Sequence, residues 1–593
     1  MRATSSKAVT RSSRSRGPWL AIVLSLLAFV AVLAAAVYVP SWLARSAPTQ
    51  PAQPAATSPH QAQLDQARSQ AALVAAEDTR LLAQLRAIPW IGPAYLNREH
   101  GAPTLILTAR RAPYTLESLV LLGAAQRIDA TTVTLTNSVL VRPGARLTLH
   151  APATTLRMTS TSTGFTSLVG WKGAIELTGE PGRPLTLTSW DPATNSPDQQ
   201  VTDGRAYLRV AGSDLQTHFA TLSHLGFWSG RTGGLAITGS ESAAGTGSIT
   251  DTTVHANHYG LFSSDTNGLT VADSTFDDAT ADGILLHQGS TGATVRTSTA
   301  RGNAGNGIAA DRGASAVTLR HVTAEHNGGD GIRFDGRPLA DRPGAAGASL
   351  DGQRGFRVQD STARFNAGNG VLVWDADETV VAGMGVVNNA EGVVVRGATK
   401  HAQISTNAVT SSAGAAIAVR DGATDVTVDH NTVAGADTGV QVRAASANVH
   451  DNTITAARIH GVSFQGAAQG SAARGNTLAG SGPSGLDLAR LDVGVAVSVS
   501  DNSDDQWQVT VSMSDRLHRL FVARPLLAVW TSLLVLPIIA SLLGRRHRRR
   551  SQLVDPYPDH PALSYSAASI HATGEPTPTV ARCDTPVSPP AAR

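Results

Sequence analysis

Three side chains at one recurring interval are suited to acid–base chemistry. His287, Asp311 and Asp335 follow one another at steps of 24 residues, and Arg333 stands two residues before the last. A histidine titrates near neutral pH and can take a carbon-bound proton. An arginine beside it neutralises a carboxylate next to that carbon. Together these meet the demands of cleaving or epimerising a uronate if they share one face, although Arg333 sits two residues from the column of His287, Asp311 and Asp335. Asp311 and Asp335 alone are a carboxylate pair, which a glycoside hydrolase also needs at a set separation. Trp374 is then followed by Arg396, Arg420 and Arg443 at steps of 22, 24 and 23. On stacked coils, three like charges about 5 Å apart repel, and an anionic ligand such as a sugar-acid polymer relieves them. Plain solvation of the long side chains is the alternative.

The common interval belongs to a repeat. A glycine followed by an aliphatic residue recurs at Gly260-Leu261, Gly283-Ile284, Gly307-Ile308, Gly331-Ile332, Gly370-Val371, Gly392-Val393, Gly439-Val440, Gly461-Val462 and Gly485-Leu486, with Ala416-Ile417 filling one slot. The steps are 22–24 residues except for one of 39, whose extra residues fall within 337–354. A second marker runs in phase: Asp273-Ser274-Thr275, His321-Val322-Thr323, Asp360-Ser361-Thr362, His430-Asn431-Thr432, Asp451-Asn452-Thr453 and Gly475-Asn476-Thr477. Two markers on one period indicate stacked repeats. Three short β segments per 22–24 residues predict one coil of a parallel β-helix. The residues one and three places after the glycine are mostly apolar and should point inward, and the fourth should lie at an exposed strand end. The glycine is expected to permit a tight or positive-φ turn. The Leu-x-x-Leu-x-Leu signature of a leucine-rich repeat is absent.

At Asn303-Ala304-Gly305-Asn306-Gly307-Ile308 and Asn366-Ala367-Gly368-Asn369-Gly370-Val371 an Asn ends one strand and Gly-Ile or Gly-Val opens the next. In this the chain resembles the right-handed parallel β-helix superfamily, the pectate-lyase-like group, over about residues 130–490. The resemblance implies an all-β solenoid. Its functional range covers pectate lyases, polygalacturonases, mannuronan C5-epimerases, phage tailspikes and members with no assigned activity. The Asp-Pro-His-Asp-type motif of alginate epimerases is missing. The polygalacturonase Asn-x-Asp and Asp-Asp set is not recognisable either, since Asp277-Asp278 is expected in a turn without the other residues of that set. No activity therefore transfers residue by residue.

The residue before each glycine forms a polar column: Tyr259, Asp282, Asn306, Asp330, Asn369, Glu391, Thr438, His460 and Ser484. Asn and Asp there hydrogen-bond turns and stack as ladders. His224-Leu225-Gly226-Phe227-Trp228 with His258-Tyr259 either stacks on sugar or seals the end of the core. No spacing specifies a metal or cofactor, and the Asp columns supply at most a weak Ca²⁺ ligand set.

Charge distribution sets the expected topology. The formal net charge is +3 over 593 residues. Residues 1–16 contribute +5 and residues 545–593 contribute +3, which leaves −5 for residues 17–544. Leu20–Val37 and Leu526–Leu543 are apolar and free of charge. Each is long enough to cross most of a hydrocarbon core, and the basic flanks place both termini in the cytoplasm. The only cysteine, Cys583, lies in the tail, so a disulfide framework is excluded. Aromatics are 5% and residues 17–544 are acidic overall, which argues against a nucleic-acid partner.

The expected fold is all-β: a right-handed parallel β-helix flanked by two transmembrane helices and an N-terminal stalk helix. Its parts are a basic cytoplasmic tail over 1–17, a membrane helix over 18–39 and a linker over 40–59. A stalk or lid helix follows over 60–88, a cap over 89–129 and the β-helix over 130–490. A cap and juxtamembrane segment over 491–524, a membrane helix over 525–544 and a disordered tail over 545–593 complete the chain. In the stalk, Leu64, Ala67, Ala71, Val74, Ala75, Leu82 and Leu85 share a face that Asp78 interrupts. The functional expectation is a cell-membrane protein whose extracytoplasmic β-helix binds or helps process acidic cell-surface polysaccharide. A membrane partner such as a glycosyltransferase fits that setting. A lyase or C5-epimerase and a structural or protein-interaction spacer are the alternatives.

Overall fold

Short apolar–polar alternations separated by turn residues build the described part of the chain almost entirely from β-strands. The computed structural model describes residues 59–86, 92–96, 103–337 except Arg312, and 353–510 except Ser411. The expected membrane segments at 18–39 and 525–544, both tails, Cys583 and most of the insertion within 337–354 lie outside these residues. Among the described residues no helix is long and apolar enough to cross a membrane. The chain divides into two compact units, residues 1–263 and 264–593.

In the first unit, Thr104–Leu107, Ser138–Val141, Ser167–Trp171, Tyr207–Ala211 and Gly234–Thr238 form successive rungs of one parallel sheet. Arg146–His150, Ala174–Thr178, Asp214–His218 and Thr246–Thr250 form a second. A third includes Thr132–Leu135, Thr155–Thr161, Leu185–Asp191, Ala220–Ser223 and Thr253–His255. Ahead of the coils, Ala94–Leu96 pairs antiparallel with Thr104–Leu107. A short helix, Leu116–Leu121, starts at a Thr115 capping box with Ser118.

The helix Pro59–Arg86 lies on the outer face of the first sheet. Its buried stripe differs from the expected one. Gln70, Val74, Glu77, Arg80, Leu81 and Gln84 face the sheet, whereas Ala71, Ala75 and Leu82 are exposed. The side chains of Leu64 and Ala67 lie outside the description. The seat explains the rotation. It offers the hydroxyls of Thr104, Ser167 and Tyr207 beside Ile106, Leu140 and Val169, so polar helix residues find partners there. Asp78 pairs with Arg231 at 3.1 Å.

In the second unit the same three-sheet coil repeats. Its first sheet runs from Ile284–Leu286 through Ile308–Asp311, Ile332–Asp335 and Val371–Trp374 to Ser484–Leu491. The two columns expected inside are inside: Ile284, Ile308, Ile332 and Val371, and Leu286, Phe334 and Val373, are all excluded from water. Phe334 stacks on Phe356 with ring centroids 4.5 Å apart.

The repeat glycines act by size, contrary to the conformational role expected. None of Gly283, Gly307, Gly331, Gly370 and Gly392 has a positive φ. A Cβ on Gly331 would lie 2.7 Å from Asn366 Nδ2 and 2.8 Å from the Gly370 carbonyl. The left-handed corner instead falls on the first residue of the second marker, as at Asp273, His321, Asp360, His430 and Asp451.

Buried asparagine ladders tie coil to coil at two corners. Asn303, Asn327, Asn366 and Asn389 form one; Asn407, Asn431, Asn452 and Asn476 form the other. Within each ladder one Nδ2 donates to the next Oδ1 at 2.9–3.0 Å, Asn476 passes the second ladder on to Asn502 at 2.7 Å, and each Nδ2 also donates to a strand carbonyl, as Asn366 does to Ala324 O. An amide that satisfies its own polar atoms and its neighbour's can be buried without penalty.

Candidate functional site

Strand register assembles the sequence-predicted residues into one row on the outer face of the first sheet in the second unit. Asp311 pairs across the ladder with Asp335, Asp335 with Trp374, Trp374 with Arg396, Arg396 with Arg420 and Arg420 with Arg443. Arg333 projects from the same face, since its neighbours Ile332 and Phe334 point inward. His287 Nδ1 lies 3.3 Å from Asp311 Oδ2 on the next coil. His287, Asp311, Arg333 and Asp335 therefore do share one face.

The fourth column is less exposed than expected. Asp311 and Asp335 retain only 5% and 2% of their surface, while Arg443 is open to solvent. Burial alone would raise the Asp335 pKa, but hydrogen bonds from Arg337 and Arg333 outweigh it and bring the group to about 2. Arg337 Nε donates to Asp335 Oδ1 at 2.9 Å, and Arg333 forms a close ion pair with the same carboxylate. Asp282, behind this row, is pushed up to about 6 by burial. Its Oδ1 accepts from Asn306 N at 2.6 Å and Asn306 Nδ2 at 2.9 Å. Asp330 does the same for Asn369, and burial raises its pKa too. The polar column before the glycines is thus a ladder here.

The arginine column is not an unrelieved run of like charge, as the sequence suggested. Asp421 forms an ion pair with Arg396 at 2.8 Å and accepts a hydrogen bond from Arg443 at 3.1 Å, and Arg420 forms an ion pair with Glu391. Asp421 is brought into the row by the left-handed turn that follows Arg420. Trp374 has two guanidinium groups against its ring, Arg337 at 3.7 Å and Arg396 at 4.0 Å from the centroid. Sequence reasoning missed Arg337 and Asp421 because both sit in turns after the strand. It named Glu391 only for the ladder column. Further along the chain, Asp487 joins Ser463 at 2.9 Å and Arg490 at 2.8 Å, with His460 Nε2 at 3.6 Å.

The first unit holds a separate buried polar cluster under its helix. Arg80 donates to Glu77 Oε2 at 2.7 Å, to Ser167 at 2.7 Å and to Thr104 at 3.0 Å. The Tyr207 hydroxyl bonds to Glu77, and burial drives its pKa upward. Phe227 packs against Phe165 and Tyr207 in this seat rather than sealing an end of the core. His224 and His258 are each held near 4, chiefly by burial, so both are neutral at physiological pH.

No curated protein sequence matches the chain. Among solved structures it is similar to the periplasmic alginate epimerase AlgG, with 14% identity and a TM-score of 0.46 over 69% of this chain and 86% of that one. It is similar to the A-module of the mannuronan C-5 epimerase AlgE6 from Azotobacter vinelandii, with 15% identity and a TM-score of 0.35 over 64% and 91%. A third is the catalytic unit of the GH87 α-1,3-glucanase from Streptomyces thermodiastaticus, with 15% identity and a TM-score of 0.37 over 68% and 71%. The family model described as right handed beta helix region matches residues 215–338 and 346–512, and over those residues the parallel coils are those of a right-handed β-helix.

Proposed function

We propose that this chain is a membrane-anchored, extracytoplasmic β-helix that binds acidic cell-surface polysaccharide along the row from Arg333 to Arg443. The observation that carries this reading is a shared-carboxylate arrangement. Arg333 and Arg337 share Asp335, and Arg396 and Arg443 share Asp421. Four guanidinium groups thus divide two carboxylates and keep donors for another anion. Guanidinium forks match carboxylates geometrically, and strands about 4.8 Å apart repeat them along an extended face. Basic flanks and two apolar segments support two membrane passes with both termini cytoplasmic. A glycosyltransferase or exporter in the same membrane is the partner that fits this placement.

The test is binding of polyuronate oligosaccharides to the full-length chain in detergent. Saturable binding that is weakened at least tenfold in an Arg396→Ala/Arg443→Ala variant supports the reading. Equal binding of parent and variant, or no binding to any acidic glycan, overturns it.

The His287–Asp311 contact favours a second reading, a lyase or C5-epimerase. A base whose imidazole is oriented by a carboxylate is the arrangement proton abstraction needs. In that role His287 takes the C5 proton and Arg333 neutralises the uronate carboxylate. Ultraviolet absorbance for unsaturated products and NMR for epimers decide it. Turnover lost in His287→Ala supports catalysis, and its absence with intact binding leaves the binding module.

A further inference from the structure

The corner between the second and third sheets of the second unit carries an Asp-His step on one coil beside a His-Asp step on the next. Asp429 and His450 are ladder partners, and His430 and Asp451 occupy the left-handed corner at φ of 53° and 54°. The nitrogen and oxygen donors of His430, His450 and Asp451 lie within 4.8 Å of one another. The two imidazoles stand nearly perpendicular, with centroids 6.1 Å apart. The ladder residues that follow, Asn431 and Asn452, are buried and bonded to each other at 2.9 Å, so the corner is built on a rigid support.

A second observation concerns orientation. Asp429 Oδ2 lies 2.9 Å from His430 Nδ1, while Asp429 Oδ1 is buried with no hydrogen-bond partner. A carboxylate that grips one imidazole nitrogen leaves the other for a metal and raises its basicity. His450 Nδ1 and Asp451 Oδ2 are 2.9 Å apart. Ligands at about 2.0–2.1 Å from one Zn²⁺ are themselves about 3 Å apart, so small rotations suffice to close the set.

We propose that His430, His450 and Asp451 bind one divalent transition-metal ion that clips two coils together, with solvent completing its coordination. Two imidazoles and one carboxylate suit Zn²⁺, Ni²⁺ or Cu²⁺, whereas Ca²⁺ takes six to eight oxygens. The site does not depend on the polysaccharide reading.

The test is titration of Zn²⁺ into the untagged full-length chain in detergent after chelator treatment, followed by calorimetry and by the visible spectrum of the Co²⁺ form. His450→Ala and Asp451→Asn should each lose one equivalent of Zn²⁺ per chain and the Co²⁺ bands. Asp429→Asn should retain the equivalent but weaken it about 10–100-fold, the usual effect of an orienting carboxylate. Circular dichroism shows that each variant keeps its β-structure. The chain has 18 histidines, so unchanged stoichiometry and spectrum in a folded His450→Ala variant would place bound metal elsewhere and overturn the proposal.

Discussion

The Tyr207 hydroxyl hydrogen-bonds the Glu77 carboxylate across 130 residues of sequence. The same carboxylate holds Arg80, whose guanidinium reaches Ser167 and Thr104 on two strands of the sheet beneath. Burial works against the Arg80 charge, but the Glu77 bond outweighs it and its pKa rises. The helix is therefore locked to the first unit by a buried ion pair whose remaining donors are satisfied. Removing one partner of such a pair leaves an uncompensated buried charge.

Glu77→Ala should accordingly cost about 3–5 kcal/mol, most of it as detachment of the helix rather than loss of the coils. Hydrogen exchange over residues 59–86 and limited proteolysis should show the helix opening while strand amides stay protected. The double variant Glu77→Ala/Arg80→Met should recover part of the loss, because the stranded charge is gone. Equal helix protection in parent and Glu77→Ala would remove the proposed lock.

Asp282 predicts a distinctive pH dependence. Its folded value of about 6 lies above the usual carboxylate value of about 3.9. Between these values the folded chain keeps a proton that the unfolded chain has released. This contribution to stability is present below about pH 4 and is lost as pH rises towards 6. An Asn at the same place keeps the acceptor for Asn306 without the charge. Asp282→Asn should therefore raise the melting temperature at pH 7–8, with the gain shrinking towards pH 4. The parent curve also contains His258, whose depressed value near 4 removes stability as pH falls below about 6.5. The difference curve between parent and Asp282→Asn isolates the carboxylate.

Asp421 competes for the guanidinium groups assigned to glycan. Asp421→Asn removes the negative charge between Arg396 and Arg443 and should tighten polyuronate binding several-fold while steepening its salt dependence. Isothermal titration at two ionic strengths measures both. Weaker binding in this variant would argue that Asp421 positions the arginines rather than competing for them.

Two glycines separate size from flexibility. Gly331→Ala should destabilise the chain by about 1–3 kcal/mol, because its methyl would overlap Asn366 Nδ2 and the Gly370 carbonyl. At Gly385 the nearest atom to a new Cβ is Thr362 Oγ1 at 3.7 Å and φ is not positive, so Gly385→Ala should be neutral or gain about 0.4–1 kcal/mol. Chemical denaturation of the pair gives the comparison.

Much of this architecture was legible in the residues. The period, the inward columns at Ile284, Ile308 and Ile332, and the Asn that ends a strand all follow from stacking identical coils, which demands the same residue type at the same step. The row from His287 to Arg443 was legible for the same reason, since register converts a sequence interval into adjacency. The role of the repeat glycines was not. A crowded Cβ and a positive φ leave the same glycine in the sequence, and only the neighbouring Asn366 and Gly370 tell them apart.

By itself, then, the sequence determined the β-helical coil and which residues share a column, because both are periodic. Tertiary structure decided what each charged column is bonded to. Asp421, Arg337 and Glu77 lie in turns or on a separate helix, outside the repeat, where no interval announces a contact. The rotation of the helix was set the same way. Its apolar spacing pointed to one face, but the hydroxyls of Thr104, Ser167 and Tyr207 turned Glu77, Arg80 and Gln84 inward. Buried polar groups must find partners, and that demand outweighed burial of a few alanine methyls.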